Sequence, residues 1–451
     1  MVVDQPAETW RTVRFAAETS ARSAPITWGQ RALWLAIRRH GAGQVMFTLK
    51  RWVAVPRRVQ ADPERVLPAI SALMARHASL RTRLELADDS PAQLVADAGE
   101  VPVLLVPDES GDPAGTARLV ADRLAAEPFA HDKDWPQRFA VVTRDGSAYQ
   151  VVVVFSHTTV DFRAAELVLR DLRLLLARGG IDTPAGLQSA DIAELEQVER
   201  HRRRSARAAA YWVEATRRLS RDTRLPMRDP LTPRFRRGLL VSAAADTAVP
   251  LIAGRYAATS STVLLAAAAA TVGEWSGNDV VGMHTMVNNR VLDGYPAAIA
   301  KLNQLALVPV DLTGAEAMAQ LLPRVWQAAM DGYRHAYYDP QELSDAFSAV
   351  GLPYATGVSP HCYFNDIRLS TDSDLLGREV DERVVRAAAA RTTFALAERF
   401  ERFTWRMRIE IVDQPAGLGL ALTADTTYFS LDAIEAFLRA LEARLVDAAF
   451  G

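Results

Sequence analysis

Cysteine is almost absent from this chain. Among 451 residues only Cys362 carries a thiol, which excludes an internal disulfide and a cysteine-based metal cluster and is compatible with a reducing cytoplasm. His40, His131, His201, His284, His335 and His361 show no metal-ligand spacing, so no metal is expected. An excess of one charge is also missing. With 52 basic and 54 acidic residues the net charge is −2, and bulk electrostatics point to neither a nucleic acid nor an anionic membrane as partner. Long apolar runs are lacking too. The most apolar window, residues 263–272, is alanine-rich; it is shorter than the roughly 20 residues that a membrane span needs and reads as a buried helix. The start, Met1-Val2-Val3-Asp4-Gln5-Pro6-Ala7-Glu8, has neither the basic opening nor the apolar core of a secretory leader, so a cytoplasmic protein is expected. Fixed-period repeats, a G-x-S-x-G elbow and a glycine-rich phosphate loop are all missing.

The length exceeds one ordinary core and suggests two domains of roughly 200 residues each. Hydrophobic residues make up 49% of the chain, enough for full burial. Periodic patterning is interrupted at residues 178–188 by Gly179-Gly180, Asp182, Pro184 and Gly186. The expected division is therefore 1–180 and 181–451.

Before that boundary, Thr27 is a candidate N-cap for a helix holding Trp28 and Trp34, and residues 47–55 read as a strand. Asp62-Pro63-Glu64 opens a helix with an acidic cap and an early proline, and Pro68 predicts a bend or a late start. Leu80, Leu84 and Leu86 begin a hairpin that returns through Gln93-Leu94-Val95, followed by a strand at 101–106 and a helix at 117–126. Asp145-Gly146 between two apolar runs is a strong hairpin signal.

The second of those runs contains Val151-Val152-Val153-Val154 and reads as a strand buried on both faces. It delivers Phe155-Ser156-His157-Thr158-Thr159-Val160-Asp161-Phe162 to its end. Leu167, Val168, Leu172 and Leu175 then keep one helical stripe, so His157 and Asp161 lie in a strand-to-helix turn. A histidine there can take and return a proton near neutral pH, or simply close the strand end with a hydrogen bond. Beyond the boundary a charged helix carries Arg200, Arg202, Arg203, Arg204 and Arg207. These form either a solvated face or a docking patch for an acidic partner. Residues 280–283 read as a strand leading to Asn288-Asn289-Arg290, whose arginine can form a bidentate pair with the Asp161 carboxylate. Gly332-Tyr333-Arg334-His335-Ala336-Tyr337-Tyr338 suits either a channel lining or a helix packing face.

The order of these motifs resembles the condensation domain of nonribosomal peptide synthetases, within the wider superfamily of chloramphenicol acetyltransferase. Residues 27–34 resemble that family's opening motif, and Arg76-His77-Ala78-Ser79-Leu80-Arg81-Thr82 its second. Ser156 to Phe162 falls on H-H-x-x-x-D-G. Tyr211-Trp212, Asn288-Asn289-Arg290, Asn303-Gln304-Leu305 and Cys362-Tyr363-Phe364-Asn365 match later stretches. Two positions depart: Ser156 stands for the first histidine and Phe162 for the glycine.

The resemblance implies an α/β fold (α+β two-layer), two chloramphenicol-acetyltransferase-like lobes facing each other across a cleft or tunnel. It implies His157 as the catalytic histidine, Asp161 as its structural partner and Arg290 as the counterion. The expected function is condensation of a carrier-tethered acyl or aminoacyl thioester with an amine or hydroxyl. The alternatives are a catalytically silent platform that recruits a tailoring enzyme, and an acyltransferase using coenzyme A. No tightly bound cofactor is expected, since the phosphopantetheine arms of carrier proteins present the substrates. No adenylation or carrier segment follows residue 451, so a free-standing enzyme that meets acyl or peptidyl carrier proteins in trans is expected, with the arginine helix as candidate docking site. Phe162 would narrow the tunnel or pack into the core.

Overall fold

The structure is a computed structural model that describes residues 8–40, 47–59, 62–85, 91–219, 227–315, 317–352, 359–368 and 380–451. Residues 1–7, Leu86 of the expected hairpin and the side chain of His40 lie outside the described residues. The chain forms two compact units. One comprises Met1–Arg203 with Asn288–Gln304, the other Arg204–Val287 with Leu305–Gly451. The boundary expected between residues 180 and 181 thus falls inside the first unit.

In chain order, the first unit contains β1 (Thr9–Ala16), β2 (Arg22–Pro25), α1 (Trp28–His40), β3 (Thr48–Ala54), α2 (Leu67–Arg76), β4 (Thr82–Glu85), β5 (Ala92–Val95), β6 (Ala98–Pro107), α3 (Pro113–Ala126), β7 (Gln137–Arg144), β8 (Ser147–Ser156), α4 (Phe162–Arg178) and α5 (Ser189–Glu196). Five strands form a sheet in the order β1-β6-β7-β8-β3, and β2-β5-β4 form a small second sheet. The position of β8 explains its unbroken apolar sequence. Val151, Val153 and Phe155 pack with side chains of α2 and α4, while Val152 and Val154 pack with Ala117, Val120 and Ala121 of α3 on the other face. Each such side chain, fully buried, contributes roughly 1.5–3 kcal/mol. The covering by α3 adds a helix to the second face of this sheet, beyond a plain two-layer arrangement.

Local signals act as their chemistry dictates. Asp145 and Gly146 take φ of 50° and 72°, the left-handed pair that joins β7 to β8 in register Arg144↔Ser147. Pro63 supports only a short 3-10 turn, Pro63–Arg65, and α2 starts late with Pro68 in its first turn, where a missing N–H costs nothing. The helix expected from 117 starts earlier, because Asp112 caps it and Pro113 opens it. The segment Asn288–Gln304 is tied into this unit by backbone: Ile299 N donates to Leu187 O at 2.8 Å, and Ser79 Oγ donates to Ile299 O at 2.5 Å.

The second unit follows with α6 (Glu199–Arg217), inside which the division falls, then β9 (Phe235–Ser242), α7 (Ala243–Tyr256), α8 (Ser260–Ser276), β10 (Val280–Val287), β11 (Gln304–Asp311), α9 (Met318–Arg334), α10 (Pro340–Ala349), β12 (Ser359–Asp366), α11 (Glu382–Ala389), β13 (Thr393–Phe400), β14 (Trp405–Gln414), β15 (Gly417–Asp425) and α12 (Leu431–Phe450). Its sheet runs β11-β10-β12-β14-β15-β9-β13. A single core joins the sheet to α7, α8, α9 and α12. The alanine-rich α8 lies within it, as its sequence predicts, and ends at Gly277 with φ of 69°. Among the described residues no single helix is long and apolar enough to cross a membrane.

Candidate functional site

The turn from β8 to α4 is held at both ends. At the strand end, Ser156 N donates to Pro136 O and His157 N to Phe47 O, both at 2.8 Å. At the helix end Asp161 is the N-cap, its Oδ1 accepting from Ala164 N at 2.8 Å, which satisfies one of the donors a helix start leaves free. That carboxylate takes two more partners. Arg290 Nη2 donates to Oδ1 at 2.7 Å, and Leu302 N donates to Oδ2 at 3.1 Å.

Arg290 is itself fixed from several sides. Nη1 donates to Tyr295 O at 3.0 Å and to Ala298 O at 2.8 Å, and Nη2 also reaches Ala300 O at 3.3 Å. The bidentate fork expected from sequence is therefore replaced by one arginine–carboxylate contact: the remaining Nη donors go to carbonyls of the 295–300 loop, and Nε has no hydrogen-bond partner among the described residues. Asn289, at φ of 55°, sends Nδ2 to Leu302 O at 3.0 Å. Asp161 and Arg290 are both buried. The three bonds of the Asp161 carboxylate go to Ala164, Arg290 and Leu302, and among the described residues none joins it to His157.

His157 is partly buried, and its Nδ1 lies 2.6 Å from Val160 O. A carbonyl only accepts, so Nδ1 carries the hydrogen and Nε2 keeps a free lone pair. Burial, then the charge of the Lys301 ammonium, lower its pKa to about 4, against the opposing pull of the Val160 carbonyl and Asp161. The imidazole is thus neutral throughout the physiological range. Lys301 has its own pKa lowered by burial, to about 8. It is a site residue that sequence reasoning missed, although a lysine inside Ala297-Ala298-Ile299-Ala300-Lys301-Leu302 signals a buried charge.

The two departures have distinct surroundings. Ser156 is buried, its Oγ 2.8 Å from Thr158 Oγ1, and it also accepts from Thr158 N at 3.3 Å; a hydroxyl braces the turn where the family pattern has an imidazole. Phe162 is 47% exposed and is not a core residue. The guanidinium of Arg51 lies 4.5 Å from its ring centroid, and Arg51 Nε donates to Glu166 Oε1 at 3.0 Å.

The remaining candidates divide into surface and packing. Arg200, Arg202, Arg203 and Arg207 are exposed on α6 and Arg204 is half-buried; Arg203 pairs with Glu199 at 2.6 Å. Tyr211 donates to Leu307 O at 2.9 Å and Trp212 to His335 O at 3.2 Å. Within residues 332–338, Gly332, Ala336, Tyr337 and Tyr338 are buried, Tyr333 and His335 are half-buried and Arg334 is exposed. His77 is buried with Nε2 3.2 Å from Asp171, so it packs and braces α2 against α4.

A family model for the condensation domain matches residues 44–449. The chain belongs to the condensation-domain family. It is 27% identical over 322 residues to the phosphinothricin tripeptide synthetase PhsC of Streptomyces viridochromogenes, a match covering 68% of this chain and 29% of that synthetase. The AMB antimetabolite synthetase AmbB of Pseudomonas aeruginosa is 25% identical over 446 residues, 95% of this chain and 33% of its own length. The chain thus spans about a third or less of these curated relatives. Among solved structures, the condensation domain of the monacolin K polyketide synthase MokA has the same fold, with a TM-score of 0.72 at 15% identity over 96% of this chain and 99% of that one.

Proposed function

We propose that this condensation domain joins a carrier-presented acyl or aminoacyl thioester to an amine or hydroxyl, with His157 as the group that receives the proton of the nucleophile. The observation that carries the reading is the orientation of His157: Nδ1 is bound to the Val160 carbonyl at 2.6 Å, which leaves Nε2 as a fixed acceptor. In the reaction the nucleophilic nitrogen or oxygen attacks the thioester carbonyl carbon, forming a C–N or C–O bond as the C–S bond breaks. The proton leaves the nucleophile for Nε2 and passes to the departing sulfur, so the pantetheine arm is released as a thiol and His157 returns to its neutral state. A histidine with a pKa near 4 is a weak base for a free amine. It is strong enough for the far more acidic ammonium formed once the amine has added to the carbonyl, so orientation precedes proton transfer. Asp161 and Arg290 keep the turn in shape and take no proton. The exposed arginines of α6 suit the acidic surface expected of a carrier protein acting in trans.

The test is to incubate the protein and its His157→Ala variant with acyl-loaded carrier proteins and candidate acceptors, and to follow product by mass spectrometry. Product from the wild type that the variant forms at least a hundredfold more slowly supports the reading. Equal product from both removes His157 from the chemistry. Binding of loaded carriers without product from any pair would favour a recruiting platform, and product from acyl coenzyme A alone would favour the coenzyme-dependent transferase.

A further inference from the structure

Lys301 is a buried cation in the segment that clamps Asp161, and the clamp itself does not use it. Its neighbours in sequence are pinned: Ala300 O accepts from Arg290 at 3.3 Å, and Leu302 N donates to Asp161 at 3.1 Å. The Lys301 carbonyl lies so close to Gly29 that a Cβ there would stand 2.1 Å from it. The backbone therefore has little freedom to carry the side chain elsewhere. Only 4% of Lys301 is exposed. Its Nζ donates to Asn303 O at 2.5 Å, and among the described residues it has no ion-pair partner. An ammonium has three donors, and taking it out of water without a counterion costs several kcal/mol. The nearest attractive carboxylate, Asp161, already has both oxygens bound to Ala164, Arg290 and Leu302.

We infer that the Lys301 ammonium is the binding group for a substrate carboxylate, so that the acceptor is a free amino or hydroxy acid. The inference rests on the reading of His157 given above. The acceptor is the substrate concerned because its nucleophilic atom must meet His157, and Lys301 directly precedes Leu302, whose N–H binds Asp161 at 3.1 Å in the same turn as His157. A free amino acid carries its carboxylate one carbon from its nitrogen, whereas a carrier-tethered one has a thioester there. Pairing Lys301 with that carboxylate also changes His157. The charged groups acting on the imidazole are Lys301 and Arg51, which disfavour its protonation, and Asp161, which favours it and is bound to Arg290. Neutralising Lys301 leaves Asp161 opposed by Arg51 alone, and the bound acceptor makes its own base stronger.

The test uses a binding probe and a turnover comparison. N-acetylglycine and its methylamide are titrated against the full chain while the His157 imidazole is followed by NMR, the signal being assigned with His157→Gln. The acid is expected to give a saturable shift and to raise the His157 pKa in the wild type and in Lys301→Arg, with no response in Lys301→Met; the amide is expected to give none. With acyl-loaded carrier, amino acids are expected to react at least tenfold faster in kcat/KM than their amides, a preference lost in Lys301→Met. Equal response to acid and amide in the wild type overturns the inference, whatever the variants do. Acids and amides condensed at equal rates overturn it while leaving the proposed function standing. Selective carboxylate binding with no condensation by any pair leaves the carboxylate site standing and removes the proposed function.

Discussion

Two histidines, His157 partly buried and His284 buried, show what separates an imidazole oriented for the chemistry proposed above from a packed one. His157 sits in the β8–α4 turn with one ring nitrogen bound and charged groups around it. His284, on β10, is enclosed by rings: Trp405 at 4.8 Å, Trp212 at 5.6 Å and His361 at 5.8 Å between centroids. Neither of its ring nitrogens has a hydrogen-bond partner among the described residues. Burial lowers the pKa of both. Lowered basicity is thus common to the two and identifies neither. The difference is direction: a backbone carbonyl fixes the tautomer of His157, whereas His284 is an aromatic filler whose protonation the second unit simply resists.

The largest effect that sharpens this contrast is on turnover. His157→Ala is expected to lose about 10²–10⁴-fold in condensation rate, the usual contribution of a positioned acid–base group, while His284→Phe stays within about twofold of wild type in the same assay. A comparable loss in both variants would erase the distinction. Next comes the clamp. Arg290→Met leaves the Asp161 carboxylate buried with a lost charge partner, and about 3–5 kcal/mol of stability should go with it, read by chemical denaturation. Arg290→Lys, unable to serve three carbonyls and a carboxylate at once, should recover only part. A smaller effect concerns acid. The folded-state pKa values of His157 and His361 lie near 4, below the ordinary 6.5. The unfolded chain therefore binds more protons between those values, and stability should fall as pH drops from 6.5 toward 4. His361→Gln should flatten part of that slope in denaturation curves taken at each pH. The smallest is Phe162→Ala, which removes the exposed partner of Arg51 and should cost under about 1 kcal/mol, a loss too small for a core aromatic.

Much of the site was legible in the chain because its signals are local. The valine run 151–154 needs cover on both faces, and the structure supplies it with α3 on one and α2 with α4 on the other. Asp145-Gly146 set the hairpin, and Pro68 the late start of α2. What sequence could not supply is non-local. The fork expected of Arg290 becomes a single contact, with its remaining Nη donors on the carbonyls of 295, 298 and 300, and no periodicity encodes that loop. Phe162 was open between core and cleft until its exposure and its stacking with Arg51 removed the core option. The division between units was misplaced for a similar reason. Gly179-Gly180 end a helix, but the chain stays with the first unit until Arg203, and residues 288–304 rejoin it through Ser79 and Leu187.

The most direct test is the single-turnover rate of acyl transfer from a loaded carrier, measured from pH 3.5 to 8 for the wild type and His157→Gln. The acceptor is a hydroxyl compound that carries no carboxylate, so that its own protonation is constant over this range. A neutral, oriented imidazole with a pKa of about 4 should then keep the wild-type rate level down to about pH 5 and lose it only near pH 4, with the variant slower by at least a hundredfold across the level range. A wild-type limb at the ordinary histidine value of 6.5, or equal rates for the two proteins, would contradict it.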